Sequence, residues 1–372
     1  MNKFALALWK LTRWIPGAFQ VSQAIYRTRF RATKKKLTVQ DRPDRAIGFS
    51  GLAIIAPEAN VNGRAMTASP GNPYFELWAS ALERYGAERV FALPDSLLGG
   101  GVEEVLRLVN KFKVSHIVLN PESPDNPATW ELPSALCAIS EQSRVTFWFV
   151  LFDSVHWDHI FKLNWIGDKI AKGVVLPIDR KIGKKLNKSL FEANSQCLPI
   201  SDSTISKIPK VTEQNKLEES ISFLGKIYEY RERLFSHPAY RDIEVNPHIS
   251  GEVRPSYTEF LDSMAKYVGT LNLSRASSYP KSQLKSRVLE AAIVGCPIVT
   301  DDAGLAAQYL GSQHLVVTAR NKGQLETLLG NGEALRLLGL VDRRKLMDHA
   351  RTIAPISFWQ SFEKADGQFI SI

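Results

Sequence analysis

Residues 285–300 read KSRVLEAAIVGCPIVT, and this stretch decides the fold. Its first half has helical spacing, Gly295 is expected to end the helix in the left-handed conformation, and Pro297–Thr300 is a predicted strand. Another predicted strand ends at Leu273, ahead of the helix. The order is therefore strand, loop, helix, strand, which is typical of a parallel sheet covered by helices.

The same alternation extends in both directions from this stretch. In the second half we predict strands at Ser220–Leu224, Ile243–Val245, Val268–Leu273 and Leu315–Thr318, and helices at Tyr230–Phe235, Tyr257–Ala265 and Leu284–Val294. In the first half we predict strands at Ile47–Ile55, Arg89–Leu93, Ser115–Asn120, Arg144–Phe152 and Gly173–Ile178, and helices at Tyr74–Tyr85, Val102–Phe112 and Leu132–Ser140. The polar stretch Ser201–Glu219 between the halves has few bulky apolar residues and is predicted to be a linker.

Composition and charge exclude several classes of protein. Hydrophobic residues make up 44% and charged residues 23%, as in ordinary globular proteins. Three cysteines are too few for a disulfide framework or a zinc site and favour a reducing, cytoplasmic location. Residues 1–46 hold eleven basic and two acidic residues, an excess of nine that equals the net charge of the chain. The body is therefore neutral, and no nucleic-acid partner is expected.

The N-terminal basic arm, residues 1–45, alternates apolar and aromatic residues with cations. Lys10 and Arg13 interrupt its apolar run, so it is too short and too charged to span a bilayer. No small-residue cleavage site follows it, which argues against a secretory signal. A basic amphipathic helix at residues 1–36 suits the surface of an anionic membrane. The alternative is a first helix that packs on the body and carries a solvated charge run.

Two motifs resemble a known family. Ser222–Lys226 followed by Tyr230 and Arg231, and the K-x-R-x-x-E-A run of residues 285–291 with its Gly turn and Pro-led strand, resemble the donor domain of GT-B glycosyltransferases. The spore-maturation-type branch is similar at this position. The resemblance covers residues 220–318, roughly a quarter of the chain. It implies a hexosyltransferase-like enzyme of class EC 2.4 that binds a nucleotide-sugar.

The resemblance also implies a domain organisation. The fold class is α/β, GT-B, with two Rossmann-like domains and a cleft between them. The acceptor domain is expected at residues 46–205, the donor domain at 216–350 and a C-terminal helix at 351–372. By the resemblance, the aromatic stretch Ser357–Phe369 crosses back onto the first domain. The alternative is a cap on the second domain.

The predicted donor site lies at the start of the helix in residues 284–294. Free N–H groups and the positive end of the dipole suit a diphosphate there. Lys285 and Arg287 in the first turn oppose the helix dipole, so an anion is expected beside them, and Arg275 in the preceding loop is placed to join them. By resemblance, the Glu290 carboxylate accepts both hydroxyls of the donor ribose. The alternative for Glu290 is an i, i+3 ion pair with Arg287 on a solvated face.

Gly225 and Lys226 follow the first strand of the second half. We expect them to line the phosphate side of the cleft, although a glycine that merely ends a strand is common. Many retaining members of the family carry a second glutamate eight residues before the ribose glutamate, but Ser282 stands there. Inversion and retention therefore both stay open. No Asp-x-Asp motif follows a strand, and no cofactor or metal is expected, because basic side chains and a helix N-terminus can balance a leaving diphosphate.

The acceptor side offers a candidate general base directly after the predicted strand at 144–152. Asp153 and His156 are of the right type and would emerge at the carboxyl edge of the sheet. The alternative is that Asp153 caps the next helix and His156 packs beside Trp157. The loop at residues 57–72 is a second candidate for covering the acceptor.

Three functions follow. The favoured one is transfer of a sugar from a nucleotide-sugar to a glycan, lipid or protein acceptor in glycoconjugate or polysaccharide synthesis, at the cytoplasmic face of a membrane. A nucleotide-sugar epimerase of the same fold is the second, and no context for the cofactor-bearing lysine of a phosphorylase is present. The third is a catalytically silent protein that binds nucleotide and docks through its arm.

Overall fold

The structure is a computed structural model. It describes residues 50–57, 59, 66, 70–95, 102–121, 136–143, 145–152, 163–164, 166–167, 170, 173–177, 186, 190–193, 197–208, 217–225, 227, 229–245, 256–274, 286–302, 305–310 and 315–370. The basic arm lies outside the described residues.

The first half forms a six-stranded sheet. Its strands are β1 (Leu52–Ala56), β2 (Val90–Pro94), β3 (His116–Leu119), β4 (Thr146–Leu151), β5 (Gly173–Pro177) and β6 (Leu190–Glu192). Their order is β2-β1-β3-β4-β5-β6, and every pair is parallel. All carboxyl ends therefore lie at one edge of this sheet.

The second half forms a five-stranded sheet. Its strands are β7 (Glu218–Phe223), β8 (Ile243–Val245), β9 (Tyr267–Asn272), β10 (Ile298–Thr300) and β11 (Val316–Thr318). Their order is β11-β10-β9-β7-β8, again with parallel pairs throughout. Parallel strands require crossover connections, and the helices supply them.

The two halves contain the following α-helices, numbered in chain order. They are α1 (Pro73–Tyr85), α2 (Val102–Lys111), α3 (Asp202–Ile205), α4 (Glu229–Phe235), α5 (Tyr257–Ala265), α6 (Ser286–Ile293), α7 (Leu305–Tyr309), α8 (Lys322–Gly330), α9 (Glu333–Leu338), α10 (Arg343–Ile353) and α11 (Ser357–Ile370). Residues 136–142 are helical as well. The predicted alternation of strands and helices is thus observed, with ends that differ by a few residues.

The strand β4 shows why the first sheet is buried on both faces. Phe147 and Phe149 lie in one hydrophobic cluster, and Trp148 and Val150 lie in another. Successive side chains of a strand point to opposite faces, so both clusters need a covering layer. A continuous apolar run such as β4 is typical of a strand inside a parallel sheet.

The prediction of a linker at Ser201–Glu219 is partly wrong, because the first residues of this segment are folded. Ser201 is the N-cap of α3, and its side chain accepts a bond from the Thr204 amide. Ile205 and Ile208 are buried in the core of the second half. The polar composition misled the prediction, since Ser201 and Thr204 are buried by partners in α1 that no local pattern reveals.

The last helix, α11, packs on the first sheet. Phe358, Trp359 and Phe362 share a buried cluster with Leu52 and Ile54 of β1. The Trp359 indole Nε1–H donates to Ser80 Oγ of α1 at 2.9 Å. At the rim, Arg84 of α1 pairs with Glu363 at 2.7 Å. The end of the described chain thus completes the core of its first half.

Candidate donor site at the carboxyl edge of the second sheet

The carboxyl ends of β9 and β10 are joined by side-chain bonds. Asn272 donates from Nδ2 to Thr300 Oγ1 at 3.0 Å, and the Ser274 amide donates to Asp301 Oδ1 at 2.7 Å. Asp302 accepts from the Ala306 amide at 2.9 Å and so caps the start of α7. The aspartates at this edge therefore hold loops in place.

Helix α6 follows β9 and is anchored by its apolar face. Val288, Leu289, Ala291 and Ala292 are fully buried. The helix ends in a Schellman motif, in which the Gly295 amide donates to Ala292 O and the Cys296 amide donates to Ala291 O, both at 2.9 Å. Gly295 has a φ of +67°, which confirms its predicted left-handed conformation.

Arg287 and Glu290 form the ion pair that was the alternative interpretation of Glu290, but the face is not solvated. Arg287 Nε lies 3.2 Å from Glu290 Oε2, and the side chains are only 24% and 14% exposed. The guanidinium also sits over the ring of Phe260 in α5, 4.2 Å from its centroid. Despite this proximity, Glu290 Oε2 and Arg287 Nη1 are buried and make no hydrogen bond to the described residues.

The electrostatic surroundings of Glu290 act in opposite directions. Burial raises the pKa of its carboxyl group, while the charge of Arg287 and a hydrogen bond from Tyr257 lower it, and the charge of Glu76 raises it further. The net direction is upward. Burial likewise raises the pKa of Tyr257 well above its ordinary value, so its hydroxyl stays protonated.

Gly225 lies just after β7, beside a cation that the prediction of site residues missed. A Cβ placed on Gly225 would lie 3.5 Å from Arg231 Nη1 and 3.3 Å from the ring of Phe223. The Arg231 guanidinium sits over that ring at 5.2 Å. The signal was present, because an arginine in the first turn of a helix that follows a strand and a glycine turn points to an anion, as it did for Arg287.

Glu76 is a second residue that was missed. It is 3% exposed, in the first turn of α1. It accepts from the Ser201 amide at 2.7 Å, from Ser201 Oγ at 2.9 Å, from Thr204 Oγ1 at 2.8 Å and from the Gly71 amide at 2.8 Å. Four donors make a buried carboxylate tolerable.

Several predicted site residues lie outside the described residues. They are Lys226, Arg275 and Lys285 on the donor side, and Asp153 and His156 on the acceptor side. Phe152, at the end of β4, is described and packs edge-on against Tyr74 of α1 at 5.3 Å. The structure thus brings Arg287 and Glu290 together on α6, which follows β9. Gly225 lies just after β7, the strand next to β9 in the same sheet.

Two kinds of feature are absent from the described part of the chain. No group of three or more His, Cys, Asp or Glu side chains there is arranged to hold a metal ion. None of the helices in that part is long and apolar enough to cross a membrane.

Comparison with known proteins identifies the fold. No protein-family model matches the chain, and no curated protein matches it in sequence. Sucrose-phosphate synthase from Thermosynechococcus elongatus matches at a TM-score of 0.51 and 10% identity, over 86% of this chain and 98% of that chain. An α-glucosyltransferase solved with UDP and a 13-mer DNA containing a central A:G mismatch matches at 0.52 and 13% identity, over 86% and 99%.

A further structure of an α-glucosyltransferase, with UDP-glucose and DNA containing an abasic site, matches at a TM-score of 0.52 and 13% identity, over 86% of this chain and 98% of that one. At such low identity the similarity concerns the fold. The two parallel sheets agree with it. The chain has the GT-B fold of glycosyltransferases, which the motifs at residues 222–231 and 285–300 led us to expect.

Proposed function

We propose that the chain is a glycosyltransferase of class EC 2.4 that transfers a sugar from a nucleotide-sugar to a glycan, lipid or protein acceptor. The observation that carries the proposal is the Glu290 carboxylate. It is largely buried, it stands on the helix that follows β9, and one of its oxygens makes no hydrogen bond to the described residues. An unsatisfied buried acceptor is costly, and two ribose hydroxyls would satisfy it.

The cations around α6 suit the diphosphate of the donor. Arg287 has a buried Nη1 without a hydrogen bond to the described residues. We assign Lys285 and Arg275 to the same role from their place in the sequence, and Gly225 and Lys226 to the opposite side of the phosphates. Arg231, beside Gly225, would contribute a further charge. Fixed cations and a helix N-terminus stabilise a leaving diphosphate without requiring a metal.

The two sheets suggest that the acceptor and the donor bind to different halves of the chain. We assign the acceptor to residues 46–205, the donor to residues 216–350 and the return crossing to residues 351–372. The α-glucosyltransferases of similar fold were solved with UDP or UDP-glucose. On the acceptor side, Asp153 or His156 would remove the proton of the attacking hydroxyl. The arm at residues 1–36 would hold a cytoplasmic enzyme at an anionic membrane, where lipid-linked acceptors are found.

A panel of nucleotide-sugars tests the proposal. We expect one of them to release its nucleoside diphosphate in the presence of a suitable acceptor, and Glu290→Ala to abolish that release while circular dichroism shows an unchanged fold. Wild-type protein that binds none of UDP, GDP and ADP would contradict the proposal, and so would a folded Glu290→Ala variant with unchanged nucleotide affinity.

A further inference from the structure

Tyr257 joins two parts of the molecule that meet at Glu290. It is the first residue of α5, and its hydroxyl is close enough to the Glu290 carboxylate to lower the pKa of that group. Its ring stacks with that of Phe260 at 6.3 Å, and Phe260 in turn carries the Arg287 guanidinium at 4.2 Å. One helix therefore contacts both members of the ion pair on α6.

The start of α5 is held rigidly. Ser256 and Glu259 form a capping box, in which the Ser256 amide donates to Glu259 Oε2 at 2.7 Å and the Glu259 amide donates to Ser256 Oγ at 3.3 Å. This box fixes the backbone from which Tyr257 extends.

The Tyr257 ring also lies against the turn before α1. Gly71 has a φ of +84°, and a Cβ built on it would collide with the Tyr257 ring. Hydrogen bonds hold this turn: the Gly71 amide donates to the Glu76 carboxylate at 2.8 Å. Glu76 in turn accepts hydrogen bonds from Ser201 and Thr204. Only glycine combines this backbone conformation with so close an approach.

We propose that Tyr257 is a positioning residue that orients the Glu290 carboxylate for the donor ribose, and that the Gly71 turn of the first half holds the Tyr257 ring in place. The inference rests on the proposed donor site. A carboxylate that accepts two hydroxyls at once needs a fixed rotamer, and one donor from Tyr257 with one charge from Arg287 supplies it. Donor affinity consequently depends on a residue of the first sheet's half that does not touch the donor.

The pH dependence separates this role from a structural one. The ionisable groups that act on Glu290 are Arg287, Tyr257 and Glu76. The Tyr257 bond lowers the pKa of Glu290, so its loss raises that pKa. Because the ribose requires an ionised acceptor, nucleotide affinity would then fall at a higher pH on acidification. Loss of packing alone would not move this midpoint.

The experiment is calorimetric titration with whichever of UDP, GDP and ADP the wild type binds most tightly, between pH 5 and 8. We expect Tyr257→Phe to weaken binding about tenfold at neutral pH, the cost of one bond to a charged group, and to shift the acid midpoint upward. Gly71→Ala should weaken binding in the same direction. The matched control is Tyr267→Phe, which removes a hydroxyl bond to Glu244 at 3.0 Å, at the opposite end of β9, and should bind as wild type.

The outcomes distinguish the inference from the proposed function. If Glu290→Gln loses affinity while folded Tyr257→Phe binds as wild type at every pH, the role of Tyr257 is overturned and the donor site stands. If Glu290→Gln also binds as wild type, the donor site itself is overturned, and the inference with it. A weakened Tyr257→Phe whose acid midpoint equals that of the wild type reduces Tyr257 to packing and overturns the positioning role.

Discussion

Two helices of the second half carry an arginine and a glutamate three residues apart, in different surroundings. On α9, Arg336 donates to Glu333 through two bonds of 2.8 and 2.7 Å, and the side chains are 60% and 36% exposed. On α6, Arg287 and Glu290 are mostly buried, lie 3.2 Å apart, and each keep an atom without a hydrogen bond to the described residues. The exposed pair has good geometry and the buried pair does not.

The difference indicates that the α6 pair has not been selected for helix stability. The bonds from Arg336 lower the pKa of Glu333, whereas burial raises that of Glu290. A buried polar atom without a partner costs about 1–3 kcal/mol. Such a cost is expected where a ligand later supplies the missing partner, and the same residue spacing thus serves different purposes on two helices.

The largest effect should be the difference in nucleotide binding between variants of the two glutamates. Glu290→Gln is expected to weaken nucleotide binding by about 100-fold, because two hydroxyls lose a charged acceptor. Glu333→Gln should leave binding unchanged. Titration calorimetry with both variants measures the contrast, and equal affinities would remove the distinction between the helices.

Replacing the arginines should affect the binding of a nucleoside diphosphate and of a bare nucleoside to different extents. Arg287→Ala is expected to weaken the binding of a nucleoside diphosphate by about tenfold, because one charge-assisted contact is lost. The binding of the bare nucleoside should change much less. Arg336→Ala is the matched control and should affect neither ligand. An equal loss for both ligands in Arg287→Ala would assign this arginine to the fold.

Acidification should act on the two glutamates at different pH values. The pKa of Glu290 is raised, so its ionised form and the nucleotide affinity that depends on it are present above that raised pKa and lost as the pH falls through it. The pKa of Glu333 is lowered, so it remains ionised further into acid. Carboxyl NMR titration of the two side chains checks this order, which the opposite sequence of midpoints would contradict.

The smallest effect should be on stability. The Glu333–Arg336 pair is exposed, and such pairs contribute little because water and salt screen them. Glu333→Gln is therefore expected to leave the unfolding midpoint unchanged at 0.15 M and at 1 M salt. A clear drop at low salt that vanishes at high salt would show that the exposed pair stabilises α9 after all.

The fold was predictable where local pattern and tertiary structure agree. Ile243–Val245 and Tyr257–Ala265 were predicted with the observed ends. The three-residue strand β6 was missed, although the equally short β8 was predicted. The α3 turn was missed because its burial depends on Glu76, more than a hundred residues earlier in the sequence.

The assignment of these residues to a donor site stays a prediction, and the environment of Glu290 was only partly predictable. The ion pair between Arg287 and Glu290, which was the alternative to ribose binding, is present. That the face is buried depends on Tyr257 and Phe260, which belong to another helix and are brought together by the fold alone. Arg231 lies within the motif at residues 222–231, but the motif alone assigns it no role.

The packing of α11 on β1 has a consequence during translation. The first sheet leaves the ribosome early, whereas Phe358, Trp359 and Phe362, which cover one of its faces, are made about 300 residues after β1. At a synthesis rate of roughly 5–20 residues per second, that face waits about 15–60 s for its cover. The nascent first half is therefore expected to be a client of ribosome-associated chaperones until the last helix emerges.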